Sequence, residues 1–387
     1  LLHECELSLA QERAGSLLLD VENPNTTACL LRIGIQFPPS FRSEEEIRSL
    51  RIPAQSRSQS QEWAITPTMR GQYSIDYFYL EIPSRFGLWK LRRTVPVDLT
   101  VRVYPNLEAE RRQLAALFLN RGRLGIHAQR QIGKGREFEQ LRDYQAGDSY
   151  EDIHWKATAR RGSPVSKVYQ LEKTQEVYIA LDCSRLSARQ TQREHGKGTE
   201  AQLDRLIRAA MALGLVAEKQ GDLFGLITFS DQIHGFVRAK NGRDHFQVCR
   251  DALYRLEPRR VNPDFEELSV GIMQRLRRRA LIIFLTNLDD PILSEQFEEQ
   301  ATLLSRRHLI LVNSLIPPKA KPLFTQGDAT STEDIYDQLA GHLQWHDLQT
   351  LKKTLHRDGI TLNFPRYATL MPELVSQYID VKQRQLI

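Results

Sequence analysis

The residues best suited to chemistry gather in two short stretches. Asp182-Cys183-Ser184-Arg185-Leu186-Ser187 follows the apolar run 177–181, and Thr286-Asn287-Leu288-Asp289-Asp290 follows the apolar run 281–285. A carboxylate and a hydroxyl two positions apart on one loop, joined by oxygens from neighbouring loops, can hold a hard cation such as Mg²⁺ partly through water. The plainer alternative is a polar loop in which Asp182 caps the turn that follows it. Other chemistries lack their marks: there is no GxxxxGK[ST] phosphate loop, no complete GxGxxG after the first strand of this region, no GxSxG elbow and no HExxH. His342 and His346 stand four apart on a helical stretch. Leu343 occupies the place where a metalloprotease carries its Glu, so they read as surface histidines.

Loops of this kind need strands behind them. From residue 176 onward, apolar runs at 177–181, 223–229, 281–285 and 309–315 alternate with amphipathic stretches at about 200–219, 244–256, 265–278, 293–306 and 332–355, and a last helix is expected after Pro372. Runs apolar on both faces, separated by helices, predict an open, doubly wound, Rossmann-like α/β domain over 176–387. In such a sheet, ligands bind beyond the carboxyl ends of the strands, where the two stretches lie. The texture from Leu1 to residue 107 is different. Strands are expected at 17–21, 29–37, 73–82 and 95–104, and Val95, Val97, Leu99, Val101 and Val103 alternate with polar residues. The prediction there is an antiparallel, immunoglobulin-like β-sandwich. The fold class is therefore α/β plus β, with residues 108–175 as a basic connector.

Composition narrows the partners. Among 387 residues, 53 Lys and Arg face 48 Asp and Glu, a formal net charge of +5. Residues 108–175 hold most of that excess, with 13 basic and 9 acidic side chains. The arginines at 111, 112, 121 and 123 and at 275 and 277–279 lack the interleaved stacking aromatics of a nucleic-acid surface, so no nucleic acid is expected. Helix ends explain the second group, and anionic lipid is the more credible polyanion. Cys5, Cys29, Cys183 and Cys249 are widely spaced and read as reduced thiols. No run is long enough to span a bilayer, and the start at Leu1 suggests a soluble part excised from a longer protein.

Two resemblances sharpen this outline. Asp182 to Ser187 resembles the DxSxS metal-ion-dependent adhesion loop of von Willebrand factor A domains, with Leu186 at the third loop position. That resemblance implies a degenerate metal site formed by Asp182, Ser184, Asp264 and Asn287, with Asp289 on the same loop as Asn287. Next, Arg142-Asp143-Tyr144-Gln145-Ala146-Gly147-Asp148, then Asp152-Ile153-His154-Trp155-Lys156-Ala157-Thr158-Ala159-Arg160, then Glu172, resembles the signature of the bacterial domain-of-unknown-function family fifty-eight. Arg70-Gly71-Gln72-Tyr73, Arg85-Phe86-Gly87-Leu88-Trp89 and Val103-Tyr104-Pro105 fit the same family. It implies a membrane anchor upstream of Leu1, domains on the cytoplasmic side of the inner membrane, and a MoxR-type AAA+ ATPase as partner in a chaperone-like or assembly system. The expected role is a non-enzymatic protein-binding adaptor. A cation-dependent adhesion or envelope receptor is the second reading, and a metal-assisted hydrolase the third.

The signature residues Arg142, Tyr144, Gly147, Asp148, Asp152, Trp155, Lys156 and Arg160 admit two uses. In one they form an interdomain clamp, with Trp155 buried between sandwich and α/β domain and the arginines and Lys156 paired with Asp143, Asp148 and Asp152. In the other they present a docking face to a partner.

Overall fold

The computed structural model describes residues 6–84, 86, 88–120, 132–145, 150, 153–170, 175–192, 199–317, 319–323, 325 and 331–384. The N-terminal strands are β1 (Glu6–Ala10), β2 (Gly15–Asn23), β3 (Cys29–Ile35), β4 (Phe41–Ser43), β5 (Ile47–Ile52), β6 (Ser56–Pro67), β7 (Gly71–Pro83) and β8 (Lys90–Tyr104). They form two sheets, ordered β1-β8-β7-β3-β5 and β2-β6-β4, that share one core around the fully buried Trp63. The alternation in β8 does what its spacing predicts: Leu99, Val101 and Val103 are buried, while Thr100 and Arg102 stay partly exposed. One expectation is corrected. The sandwich is not wholly antiparallel, because β1 runs parallel to β8, pairing Glu6 with Thr100 and Ala10 with Tyr104. A turn through Glu12, at φ 58°, carries the chain from β1 straight into the opposite sheet. With no hairpin joining β1 to its neighbour, nothing forces it antiparallel.

The chain then forms α1 (Glu108–Asn120), β9 (Ile132–Asp143), α2 (Trp155–Arg161) and β10 (Val165–Gln170). Leu107 and Leu114 lie in the core of the α/β domain, and Glu110 on α1 pairs with Arg208 at 2.9 Å. The first helix of the expected connector is thus packed as part of that domain, while β9 and β10 make a separate two-stranded ribbon.

The remaining elements are β11 (Glu176–Asp182), β12 (Gln190–Gln192), β13 (Thr199–Ala201), α3 (Gln202–Lys219), β14 (Leu223–Phe229), β15 (Ile233–Lys240), α4 (Arg243–Leu253), α5 (Phe265–Arg275), β16 (Leu281–Thr286), α6 (Pro291–Ser305), β17 (Leu309–Ser314), α7 (Thr332–Arg357), β18 (Thr361–Asn363) and α8 (Leu370–Gln383). The main sheet is ordered β15-β14-β11-β16-β17-β18, parallel except for the antiparallel edge strand β15. One core lies between the sheet and α1, α3, α4 and α8; the other lies between the sheet and α5, α6 and α7. The last helix starts two residues before Pro372, which sits in the first turn, where a missing N–H costs no intrahelical bond.

Candidate functional site

Strand order reverses at β11: the chain moves outward through β14 to β15, then returns to β16 on the other side. The crevice beyond β11 and β16 is therefore the switch point where doubly wound sheets place ligands. Asp182 and the loop after Thr286 both stand there. Asp182 is buried, and its two oxygens are occupied: Oδ1 accepts the Ser184 N–H at 2.7 Å and Oδ2 accepts the Thr286 hydroxyl at 2.6 Å. Burial pushes its carboxyl above the usual carboxylate range, a shift that these hydrogen bonds oppose. Ser184 is also buried. Its Oγ accepts the Leu186 N–H at 3.3 Å and its carbonyl accepts the Ser187 hydroxyl at 2.8 Å, shaping a single 3-10 turn at Arg185–Ala188. The loop is the turn cap that its Asx and Ser pattern permits.

Of the five oxygen donors expected, Asp182 and Ser184 stand at the end of β11, and Asn287 stands at the end of the neighbouring β16. Asn287 accepts from Gln202 at 2.8 Å. Asp264 is the N-cap of α5 and accepts the Glu267 N–H at 2.9 Å. Asp289 is paired with Arg189 at 2.7 Å, and Asp290, the N-cap of α6, lies 3.6 Å from Arg185. Two guanidinium groups thus border the same loops, and Arg185 also binds the Asn262 side chain. Among the described residues no three His, Cys, Asp or Glu side chains gather as metal ligands. A hard cation needs several free oxygens aimed at one point. Each member of this set already accepts from a protein N–H, hydroxyl or guanidinium group, and the single buried oxygen of the set left without a partner among the described residues, Asp289 Oδ1, is too few, so the set does not fit a resident Mg²⁺.

The same rim holds Ser230, Asp231 and His234, which the sequence pattern did not single out. The Ser230 hydroxyl lies 2.6 Å from His234 Nε2 and 2.6 Å from Asp231 Oδ1, and Asp231 approaches that same Nε2 at 3.4 Å. A Ser-His-Asp relay needs the carboxylate on the other ring nitrogen. Here Ser230 is fully buried and the group fastens the turn between β14 and β15.

The family-signature segment folds as a small unit of its own. The His154 N–H donates to the Val165 carbonyl at 2.8 Å, Ile153 bridges to Ser166, and the Val165 N–H donates to the Thr158 hydroxyl at 3.1 Å. His154 Nδ1 caps α2 by accepting the Ala157 N–H, and Gly162, at φ 75°, closes its far end in the left-handed region that favours glycine. Trp155 is 68% exposed at the first turn of α2, with Lys156 and Arg160 exposed beside it. The expectation of a Trp155 buried between domains is overturned: α2 is seven residues long, has no buried residue, and carries Trp155 on its solvent side. Arg142 donates to Gln145 at 2.6 Å, and Asp143 is paired with Arg161 at 3.2 Å. Tyr144 lies 6.3 Å, ring to ring, from the exposed Tyr150. Gly147, Asp148 and Asp152 lie outside the described residues.

Residues 140–339, which begin in this segment and run through the α/β domain, match the family described as "Protein of unknown function DUF58". The chain belongs to the DUF58 family. Solved structures similar to it include the conserved hypothetical protein BatB from Bacteroides thetaiotaomicron, at 14% identity and a TM-score of 0.34, over 53% of this chain and 99% of that one. A second is an aerotolerance-related membrane protein from Bacteroides fragilis carrying multiple mutations to serines, at 13% identity and a TM-score of 0.31, over 53% and 98%. A third is the SpRpn10 VWA domain, at 13% identity and a TM-score of 0.31, over 53% and 95%. No curated protein matches the chain.

The joint between sandwich and α/β domain in this DUF58 chain is built elsewhere, from the segments around Arg70 and Tyr104. The Arg70 side chain is 7% exposed. It donates through Nε to Asp204 at 2.7 Å and through Nη1 to the Tyr254 carbonyl at 3.0 Å and the Leu253 carbonyl at 3.4 Å. One guanidinium thus ties the first turn of α3 to the last carbonyls of α4. The Tyr104 hydroxyl donates to Asp251 at 2.9 Å, its ring lies 4.9 Å from that of Tyr254, and Arg250 stacks over it at 4.0 Å. The Tyr254 hydroxyl reaches Gln72 at 3.3 Å. Arg70, Gln72 and Tyr104 were in motifs that the family resemblance flagged. Their partners were not, being 134 to 184 residues away in the chain.

Proposed function

We propose that this DUF58 chain is a non-enzymatic protein-binding adaptor that joins an immunoglobulin-like sandwich to a von Willebrand factor A-like domain. Its partner on this reading is a MoxR-type AAA+ ATPase, the protein works on the cytoplasmic side of the inner membrane, and α2 carries the docking face. The observation that supports it is the placement of Trp155, a large aromatic exposed on a compact unit whose neighbours Tyr150, Lys156 and Arg160 are also exposed. The domain joint is already made by Arg70 and Tyr104, so the signature has no clamping task left. Exposed Trp, Tyr and Arg side chains are the types that dominate binding energy at protein interfaces. The crevice at Asp182 supports the non-enzymatic half of the reading. Its carboxylate is buried and accepts one hydrogen bond at each oxygen, and the nearby Ser230 and His234 do not form a relay.

A photo-crosslinking residue placed at Trp155 in the native organism tests the proposal. Adducts to the ATPase at position 155, and none from a control position on the buried face of α3, are expected. Crosslinks from 155 only to this chain's own sandwich or α/β domain would overturn it.

A further inference from the structure

The β7–β8 hairpin outruns its own domain. Its base meets the α/β domain through Gln72 and Tyr104, and the pairing of β7 with β3 stops at Glu81, opposite Arg32. Beyond that point only the two hairpin strands continue, with Ile82 opposite Leu91 and Pro83 opposite Lys90. Phe78 and Leu80 turn one face of β7 toward the sandwich core. Period-two spacing puts Ile82 and its cross-strand partner Leu91 on the same face, where the core has ended and both are exposed. Past them come Phe86 and Leu88, each 77% exposed, and Trp89, 63% exposed. The turn that presents them is closed, with the Ser84 N–H donating to the Trp89 carbonyl at 2.8 Å and the Trp89 N–H donating to the Ser84 hydroxyl at 3.3 Å.

A collar of cations stands directly behind this apolar tip. Arg32, Lys90 and Arg92 all reach the Glu81 carboxylate, at 3.1, 2.9 and 2.9 Å, and Arg93 follows. Three positive side chains thus share one carboxylate, which they hold down to a pKa of about 2, and Arg93 adds a fourth cation beside them. We infer that this hairpin tip docks on an anionic lipid surface, with Phe86, Leu88, Trp89 and Leu91 entering the interface and Lys90, Arg92 and Arg93 lying at the headgroups. Trp settles at the headgroup level of bilayers, and each basic residue near an anionic surface adds to the attraction. A convex tip with a like-charged collar is a poor seat for a second copy of the chain, whose collar would be repelled. Fourteen residue steps separate Lys90 from Tyr104 along β8, so docking would hold the α/β domain roughly 45–50 Å from the lipid. The inference is independent of the ATPase partner proposed above.

Co-sedimentation of the full chain with phosphatidylcholine vesicles, with and without phosphatidylglycerol, tests it. Binding is expected to the anionic vesicles and to weaken with added salt. Phe86→Ser and Trp89→Ser should each weaken it by at least about tenfold. Arg92→Gln and Arg93→Gln should weaken it about fivefold each. Trp89→Phe gives a readout that does not depend on the polar variants folding. Brominated lipid should quench the wild-type tryptophan fluorescence, and Trp89→Phe should keep binding but lose that quenching. Failure to sediment with the anionic vesicles, equal binding to neutral ones, unchanged binding by the serine variants, or binding only to membranes that retain their own proteins would each overturn the inference.

Discussion

Arg70→Ala is the perturbation that most sharply separates the joint described here from one made by the family signature. The lost guanidinium has three acceptors: the Asp204 carboxylate and the two carbonyls that end α4. Asp204 is itself largely buried, so truncation strands a carboxylate without its direct ion pair, a class of change that costs about 3–5 kcal/mol, softened by the more distant attraction of Arg208. Asp204 lies in the first turn of α3, where the helix dipole returns about 0.3–1 kcal/mol to a negative charge. A net loss of about 3 kcal/mol is expected, and at roughly 2–4 °C per kcal/mol for a domain of this size the calorimetric melting temperature should fall by about 6–12 °C. Arg70→Lys should recover only part of this, since an ammonium cannot fork between a carboxylate and two carbonyls. Amide exchange should rise at the start of α3 and the end of α4 together. If Arg70→Ala melts within about 1 °C of wild type, or if the exposed Trp155→Ala destabilises more, the assignment of the joint is refuted.

Other positions give separate tests. Asp182→Asn should be at least as stable as wild type at pH 7, because burial raises the native carboxyl above its unfolded value and wild-type stability is therefore lost as pH rises through that interval. Titration calorimetry should show no Mg²⁺-dependent melting shift in either protein; a shift present in wild type and absent in Asp182→Asn would reinstate the metal site. His308 is buried with neither ring nitrogen hydrogen-bonded among the described residues, so His308→Leu should stabilise by about 1 kcal/mol in urea titrations. Burial also lowers its pKa, so the neutral form is the folded one and wild type should lose stability as pH falls below about 6.5, a slope that the leucine variant should flatten. A steeper acid slope in the variant would contradict this.

The α/β layers were legible because a strand covered on both faces must read as an unbroken apolar run, and 223–229 coincides with β14. The edge strand β15 was missed for the matching reason. Ile-His-Gly-Phe-Val-Arg-Ala-Lys is half exposed and carries no such run. The positions of Asp182 and Asn287 at the switch point followed from strand ends alone. The fates of Asp264 and Asp290 did not, although Asp264 with Glu267 three residues on is a capping pattern and Pro291 after Asp290 marks a helix start. Reading Asp264 as a helix cap would have removed it from the ligand set. Trp155 was misplaced because a large aromatic defaults to a core, whereas exposure depends on what packs over a seven-residue helix, which local sequence does not encode. The joint was hidden for a related reason: Arg70 and Asp204 meet only through the arrangement of two domains.

The central claim is that α2 presents a docking face to an AAA+ partner, and its most direct measurement is a calorimetric titration of the purified chain with the MoxR-type ATPase of the same organism. Wild type should bind, and Trp155→Ala should bind at least about tenfold more weakly while melting at an unchanged temperature, as expected for a hot-spot aromatic that supports no core. Equal affinity of the two proteins, or no binding by wild type, would contradict the account.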